Sequence, residues 1–415
     1  MKERLFIRNI GTLAGITSPD TCCKYGDEMS EVTCLHQAWL IVEDGMIKEY
    51  GTAEKAPQSS DKVIDAEEGF VLPAFCDSHT HLVYADSREK EFVDKINGLS
   101  YSEIAARGGG ILNSADRLHQ LSEEALYQQA SNRVKEIIRK GTGAVEIKSG
   151  YGLNTADEIK MLHVIRRIKE EMPIKVVSTF LGAHAVGRAF TGRQAEYVDY
   201  VINDMIPNVA KEGLADFIDV FCDRGFFTPE ETDCILEAGS KYGMRPKIHA
   251  SELAATGGVA VGVRHHALSI DHLESVTDEE IALLAQARTI TVPTVLPGTS
   301  FFLNMPYAPA RKLINAGLAV AIASDYNPGS TPSGDMKFAM SLACIKMRLC
   351  PAEALNAATI NAAHAMGLGR ELGSIAVGKR ANLILTDHIP SLDYIPYAYT
   401  SPIIKKTIIG ETVIG

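Results

Sequence analysis

Eight short apolar runs, each closed by polar residues and followed by a helical stretch, constrain the fold of this chain more than any other feature. They are GFVLPAFCDSHTH (69–81), GTGAVEIKSG (141–150), IKVVSTFLGAH (174–184), ADFIDVFCD (215–223), RPKIHASE (245–252), ALSIDHLE (267–274), ARTITVPTVLPG (287–298) and LAVAIASDYNPG (318–329). Between them lie helical patterns such as TADEIKMLHVIRRIKEEM (155–172), in which Thr155 and Glu158 stand at capping-box spacing. Strands that alternate with helices pair in parallel, and eight such units predict an α/β fold, a closed (β/α)8 barrel. The strand bodies read as apolar and the tips as polar: HTH, KSGYG, GAH, CDRG, HASE, DHLE and SDYNPG. In such barrels chemistry sits at the C-terminal ends of the strands, where these tips converge.

The two ends of the chain have a different texture. AWLIVEDGMIKEYG (38–51) alternates on both sides of Asp44-Gly45, a hairpin signal, and GSIAVGKRANLILTDHIPSLDYIPY (373–397) returns to β-like alternation. Residues 1–68 and 373–415 are therefore expected to build one small β-sheet or sandwich domain beside a barrel at 69–372. A length of 415 residues suits that division, and 46% hydrophobic with 22% charged residues describes an ordinary soluble globular protein.

The formal net charge of −11 argues against nucleic acid and anionic membrane surfaces as partners. It also means that an anionic small substrate must be drawn in by a local cation. Eight cysteines without CxxC spacing read as reduced thiols. Arg8 and Asn9 interrupt the first apolar run too early for a signal peptide, and no stretch reaches the length of a membrane span. The expected location is the cytoplasm.

Residues i and i+2 of a strand face the same way, so His79 and His81 can converge on one point at the barrel mouth. A catalytic metal centre needs a third ligand and an open position. His249, ending the fifth run, is the natural third ligand, and Asp325, ending the eighth, offers a carboxylate oxygen. His184 and His272 bring further imidazoles to the same rim.

An HTH after a proline-containing strand, a later strand-end histidine and a late strand-end aspartate resemble the amidohydrolase superfamily. SREKEF (87–92), EIKSGYGLN (146–154), TFLGAHAV (179–186), DVFCDRGFF (219–227) and SDYNPGS (324–330) narrow the resemblance to the imidazolonepropionase family, over residues 65–385. That resemblance implies a single divalent ion, zinc or iron, on His79, His81, His249 and Asp325. It implies hydrolysis of the cyclic amide of 4-imidazolone-5-propanoate to N-formimidoyl-L-glutamate, in L-histidine degradation, by a homodimer. Lys148 then has no part in a carboxylated-lysine bridge between two metals.

Under that reading a metal-acidified water attacks the ring carbonyl. Glu252, three residues beyond His249, is placed to carry the proton, a duty Asp325 can share, and His272 to hydrogen-bond the developing oxyanion. Arg88 presents a two-pronged donor to the propionate. The resemblance further implies that Tyr151, His184, Glu252 and Ser330 contact substrate, and that Asn327 and Gly329 line the product end, Gly329 through a bare backbone N–H. The glycine-rich RGGGIL (107–112) lacks the ending of a P-loop and is expected to form a loop near the mouth.

Three positions depart from the family pattern. Asp86 stands where glycine is usual and is positioned to pair with Arg88; Gly187 stands where proline is usual; Ser330 replaces the more frequent threonine but keeps the hydroxyl. The rival expectation is another amidohydrolase, such as a heterocycle deaminase, which needs the same metal-activated water.

Overall fold

The computed structural model describes residues 4–57, 62–99, 103 and 109–415. All eight predicted runs carry a strand of one parallel ring: Phe75–Asp77, Thr142–Lys148, Lys175–Ala183, Phe217–Cys222, Ile248–Ala250, Ser269–His272, Val292–Val295 and Ala321–Ile322. Each pairs with the next in chain order. The ring closes just above the strand ends. Asp325 donates its N–H to the His79 carbonyl and His81 its N–H to the Tyr326 carbonyl, both at 3.0 Å. Asp77 strengthens this seam by accepting from the Ser324 backbone at 2.9 Å and from its hydroxyl at 2.5 Å.

The first run divides at Ala74. Phe70–Pro73 leaves the barrel and pairs with Arg4–Ile16 and Asn382–Thr386, so only Phe75–Asp77 enters the ring. The other sheet is built from both chain ends. It runs from Met46–Thr52 through Thr33–Glu43, Arg4–Ile16, Phe70–Pro73 and Asn382–Thr386 to Ile404–Ile409 and Thr412–Ile414. Asp44 and Gly45 form the predicted tight turn, both with positive φ, at 52° and 75°.

Leu5, Ile7, Leu13, Leu40, Val42, Leu383 and Ile408 bury one face of this sheet. Burial of a side chain of this size contributes about 1.5–3 kcal/mol, enough for the sheet to hold its own core. Its strands Asn382–Thr386 and Ile404–Ile409 reach the barrel: the Thr407 hydroxyl donates to Ile138 O at 2.6 Å and Asn382 Nδ2 to Gly143 O at 3.0 Å. The sheet thereby braces the start of the second barrel strand.

The predicted helix forms over Thr155–Glu171, but its cap differs from expectation. Asn154 accepts from Asp157 N at 2.9 Å, one residue earlier than the Thr155 cap, and Glu158 is fully buried. The Glu158 carboxylate turns back to accept from Gly150 N at 3.0 Å, Gly152 N at 2.7 Å and Leu153 N at 2.9 Å. This loop contains two positive φ angles, 114° at Gly150 and 53° at Leu153, and the three bonds hold it against the rim.

Candidate active site

His79 and His81 extend from the first barrel strand into one space with His249 from the fifth. Their Nε2 atoms lie close together, 3.2 Å between His79 and His81 and 3.4 Å between His249 and His81. All three rings are buried. His79 Nδ1 is 2.7 Å from Asp271 Oδ2, and His249 Nδ1 is 3.1 Å from Asp219 Oδ1. With those Nδ1 protons donated to carboxylates, the Nε2 lone pairs point at one another. Burial, then Lys148 and the neighbouring imidazoles, hold His79 well below the ordinary histidine range, so extra protons do not relieve the repulsion.

A cation does. Nitrogens 2.0–2.1 Å from a common tetrahedral ion stand about 3.4 Å apart, the spacing found here. Asp325 Oδ1 flanks the cluster, 3.6 Å from His79 Nε2 and 3.5 Å from His81 Nε2. Its other oxygen accepts from Thr299 Oγ1 at 2.7 Å and Ser330 Oγ at 3.0 Å. The donor set fits one divalent ion.

Beneath the imidazoles the strand bodies are not apolar as expected. Glu146, Lys148, Asp219, Lys247 and Asp271 are fully enclosed inside the barrel. Lys148 Nζ donates to Glu146 Oε1 at 2.6 Å and Asp219 Oδ2 at 2.7 Å, and lies 3.6 Å from Asp271 Oδ2. Lys247 pairs with the other Glu146 oxygen. Burial disfavours the Lys148 charge, but Asp219, Glu146 and Asp271 outweigh it and raise its pKa. A protonated ammonium does not add carbon dioxide, so Lys148 orients the carboxylates of His249 and His79 instead of bridging metals.

Above the cluster, His272 Nδ1 is 3.5 Å from Glu252 and 3.6 Å from Glu274. Against the penalty of burial, these two carboxylates raise His272 and favour its protonated form. Burial raises the Glu252 carboxyl despite the opposing His272 charge, and Glu274, Asp325 and Asp223 add to the effect. Asp223 also builds the turn that presents Glu252: its carboxylate accepts from the backbone of Glu252, Leu253 and Ala254 at 2.8–3.0 Å.

These groups face a cavity of about 620 Å³, which Arg88, Tyr151, His184, Asn327, Gly329 and Ser330 also line. The His184 ring stacks on His81 with centroids 5.0 Å apart and lies 5.3 Å from Tyr151. Arg88 closes the outer end, held by Glu91 Oε2 at 2.9 Å to Nε and 2.7 Å to Nη2.

The amidohydrolase family model matches residues 70–413. Imidazolonepropionase of Christiangramia forsetii is 49% identical over 411 residues, covering 99% of this chain and all of that protein. The chain belongs to the imidazolonepropionase family. The Flavobacterium johnsoniae member of the family is likewise 49% identical, over 98% of this chain and 99% of its own length. Among solved structures, a triazine hydrolase variant superposes with a TM-score of 0.78 at 17% identity, covering 99% of this chain and 94% of that one, a likeness of fold.

All the site residues expected from the family pattern except the fully buried His79 line this cavity, but several do different work there. The Gly329 N–H, expected to face substrate, donates to Asn327 Oδ1 at 2.8 Å. Asn327 knits the whole turn, accepting also from Ser330 N at 2.8 Å and donating to Asp325 O at 2.7 Å. A Cβ at 329 would overlap the Arg88 guanidinium, which could keep its place only beside glycine.

Asp86 does not pair with Arg88, whose carboxylate partner is Glu91; it is exposed and faces the charge of Arg133. Its φ of 56° explains why glycine is usual there, and aspartate tolerates that conformation. At Gly187, φ of −60° would suit proline, but a Cβ would stand 2.7 Å from Leu153 O. In this chain the 150–153 loop occupies that space. Of RGGGIL, Arg107 and Gly108 lie outside the described residues; Gly110 opens helix Ile111–Gln120 and donates to Glu91 Oε1 at 3.1 Å.

Sequence reasoning missed Glu91, Lys95, Glu158, Asp223 and Glu274. Glu91, Asp223 and Glu274 stood in quoted motifs but were given no role, and Glu158 was read as a cap.

Proposed function

We propose that this chain hydrolyses the cyclic amide of 4-imidazolone-5-propanoate to N-formimidoyl-L-glutamate. The observation that carries the reading is three buried imidazole Nε2 atoms gathered beside Asp325, in a cavity whose far end holds a buried arginine. His79, His81, His249 and Asp325 would hold one divalent ion, zinc or iron, since nitrogen and carboxylate donors suit both. Such an ion, when bound, lowers the pKa of a water toward neutrality and polarises a carbonyl.

The remaining steps belong to side chains. Arg88 holds the propionate, while Tyr151 and His184 fix the ring over the cluster. A protonated His272 donates to the carbonyl oxygen as charge develops there. Glu252 takes the proton of the attacking water and returns it to the ring nitrogen as the C–N bond breaks, and Asp325 is positioned to share the first transfer. Asn327, Gly329 and Ser330 line the product end of the pocket.

The same reading assigns the enzyme to L-histidine degradation in the cytoplasm, as a homodimer. Residues 1–68 with 373–415 act as a bracing domain for the barrel at 69–372. All eight cysteines are free thiols, in keeping with that location. No helix among the described residues is long and apolar enough to cross a membrane.

Purified protein should consume 4-imidazolone-5-propanoate, followed by loss of its ultraviolet absorbance. His79→Ala should lose both bound metal, by elemental analysis, and turnover. Undiminished turnover by a demonstrably metal-free sample would overturn the proposal.

A further inference from the structure

Resting on the ring-opening reading above, we infer that Lys95 is a specificity-determining residue: it is the second cation that, with Arg88, selects a substrate bearing a carboxylate. The inference starts from a charge imbalance. Arg88 alone is a poor anion trap, because Glu91 holds it through two short contacts, 2.9 Å to Nε and 2.7 Å to Nη2. Glu252 and Asp325 also line that cavity, so an entering carboxylate meets acidic groups beyond an already answered arginine. A further positive charge is needed at the outer end.

Lys95 supplies it. Arg88 and Lys95 are seven residues apart along helix Glu89–Ile96 and its cap, two turns on one face, and both line the cavity. Lys95 Nζ donates to Gly329 O at 2.8 Å and lies 5.4 Å from the Phe302 ring centroid. Among the described residues it makes no ion pair. An ammonium has three donors, so one bond to Gly329 leaves others for a ligand.

Gly329 sits between the two cations. Its carbonyl engages Lys95, and its missing side chain leaves room for the Arg88 guanidinium. A carboxylate reaching this point would be met by a planar fork from one side and a compact charge from the other.

The test is calorimetric titration of the metal-loaded protein with 3-(imidazol-4-yl)propanoate and with its uncharged propanamide. The parent should prefer the acid. Lys95→Met should weaken binding of the acid by about tenfold and of the amide by no more than about twofold, while Lys95→Arg should keep most of the preference.

Equal binding of acid and amide by the parent would overturn the inference. So would a preference that survives Lys95→Met, an equal loss of both probes, or a loss that Lys95→Arg fails to restore. Turnover of 4-imidazolone-5-propanoate by the parent tests the ring-opening reading separately, and the probe comparison stays decisive whichever way that assay falls.

Discussion

Beneath the imidazole cluster, five charged side chains from four strands are wholly enclosed, each partnered by another. Along the outer wall, helix Glu89–Ile96 and its cap bring Arg88, Phe92, Lys95 and Ile96 to the cavity, where Phe92 and Ile96 stay exposed, Ile96 at 68%. The floor has no slack: Lys148 joins Glu146, Asp219 and Asp271, the last two hold His249 and His79, and Lys247 answers the other Glu146 oxygen. The wall is one short helix, and its cations are held by single side chains and one glycine. Chemistry is thus tied to the most rigid part of the barrel and substrate choice to its most replaceable part. Changes in the floor should affect folding, metal and turnover together, whereas changes in the wall should affect KM.

The sharpest way to break that contrast is Lys148→Met, which leaves Glu146, Asp219 and Asp271 enclosed without their shared counter-ion. We expect a stability loss of about 3–5 kcal/mol in urea unfolding, and metal affinity lower by about 10–100-fold as the carboxylates that orient His79 and His249 lose their anchor. A variant as stable and as metal-replete as the parent would show the floor to be dispensable.

At the wall, Gly329→Ala should push the Arg88 guanidinium aside. KM should rise by about tenfold with kcat within about twofold, and an equal fall in kcat would mean that wall and floor are not separable. A smaller effect comes from pH. Burial, then the charge of Arg88, push the Lys95 ammonium down to about 8, with Glu91 opposing. The charged form binds the anion, so it is present below about pH 8 and is lost as pH rises through that value. KM measured across pH 7–9 should climb on the alkaline side in the parent and stay flat in Lys95→Arg, whose charge persists. Least of all, Asp86→Gly should leave KM within about twofold, since Asp86 faces Arg133 and not Arg88. A marked fall in KM would restore the competition that the spacing of Asp86 and Arg88 suggested.

The same contrast explains what could be read in the sequence. Each barrel strand was legible because apolar runs with polar tips are a local pattern, and His79 with His81 was legible because i and i+2 share a face. The floor was not. Glu146 and Lys148, Lys247 and His249 obey that same alternation, but an inward-facing charge becomes intelligible only when its partner arrives from another strand. Lys148 meets Asp219 across 71 residues, and Lys247 meets Glu146 across 101.

The division of the first run at Ala74 escaped notice because Phe70–Pro73 and Phe75–Asp77 are equally apolar; the partner strand at 382–386 decides where the first half goes. Lys95 read as an ordinary helix lysine because nothing in its neighbourhood reveals Gly329, 234 positions away. Asp77 stands beside the two histidines but turns to the other edge of the first strand. It holds the Ser324 end of the seam.

That seam has a consequence for how the centre comes into being. A growing polypeptide carries both histidines of its first barrel strand from early on, but Ser324, which docks on Asp77, lies 247 residues later. Until the eighth strand arrives, the fourth donor and the wall behind it do not exist. Under the proposed ligand set, an ion would act as a clasp between the beginning and the end of the barrel, gripping only once the circle is complete.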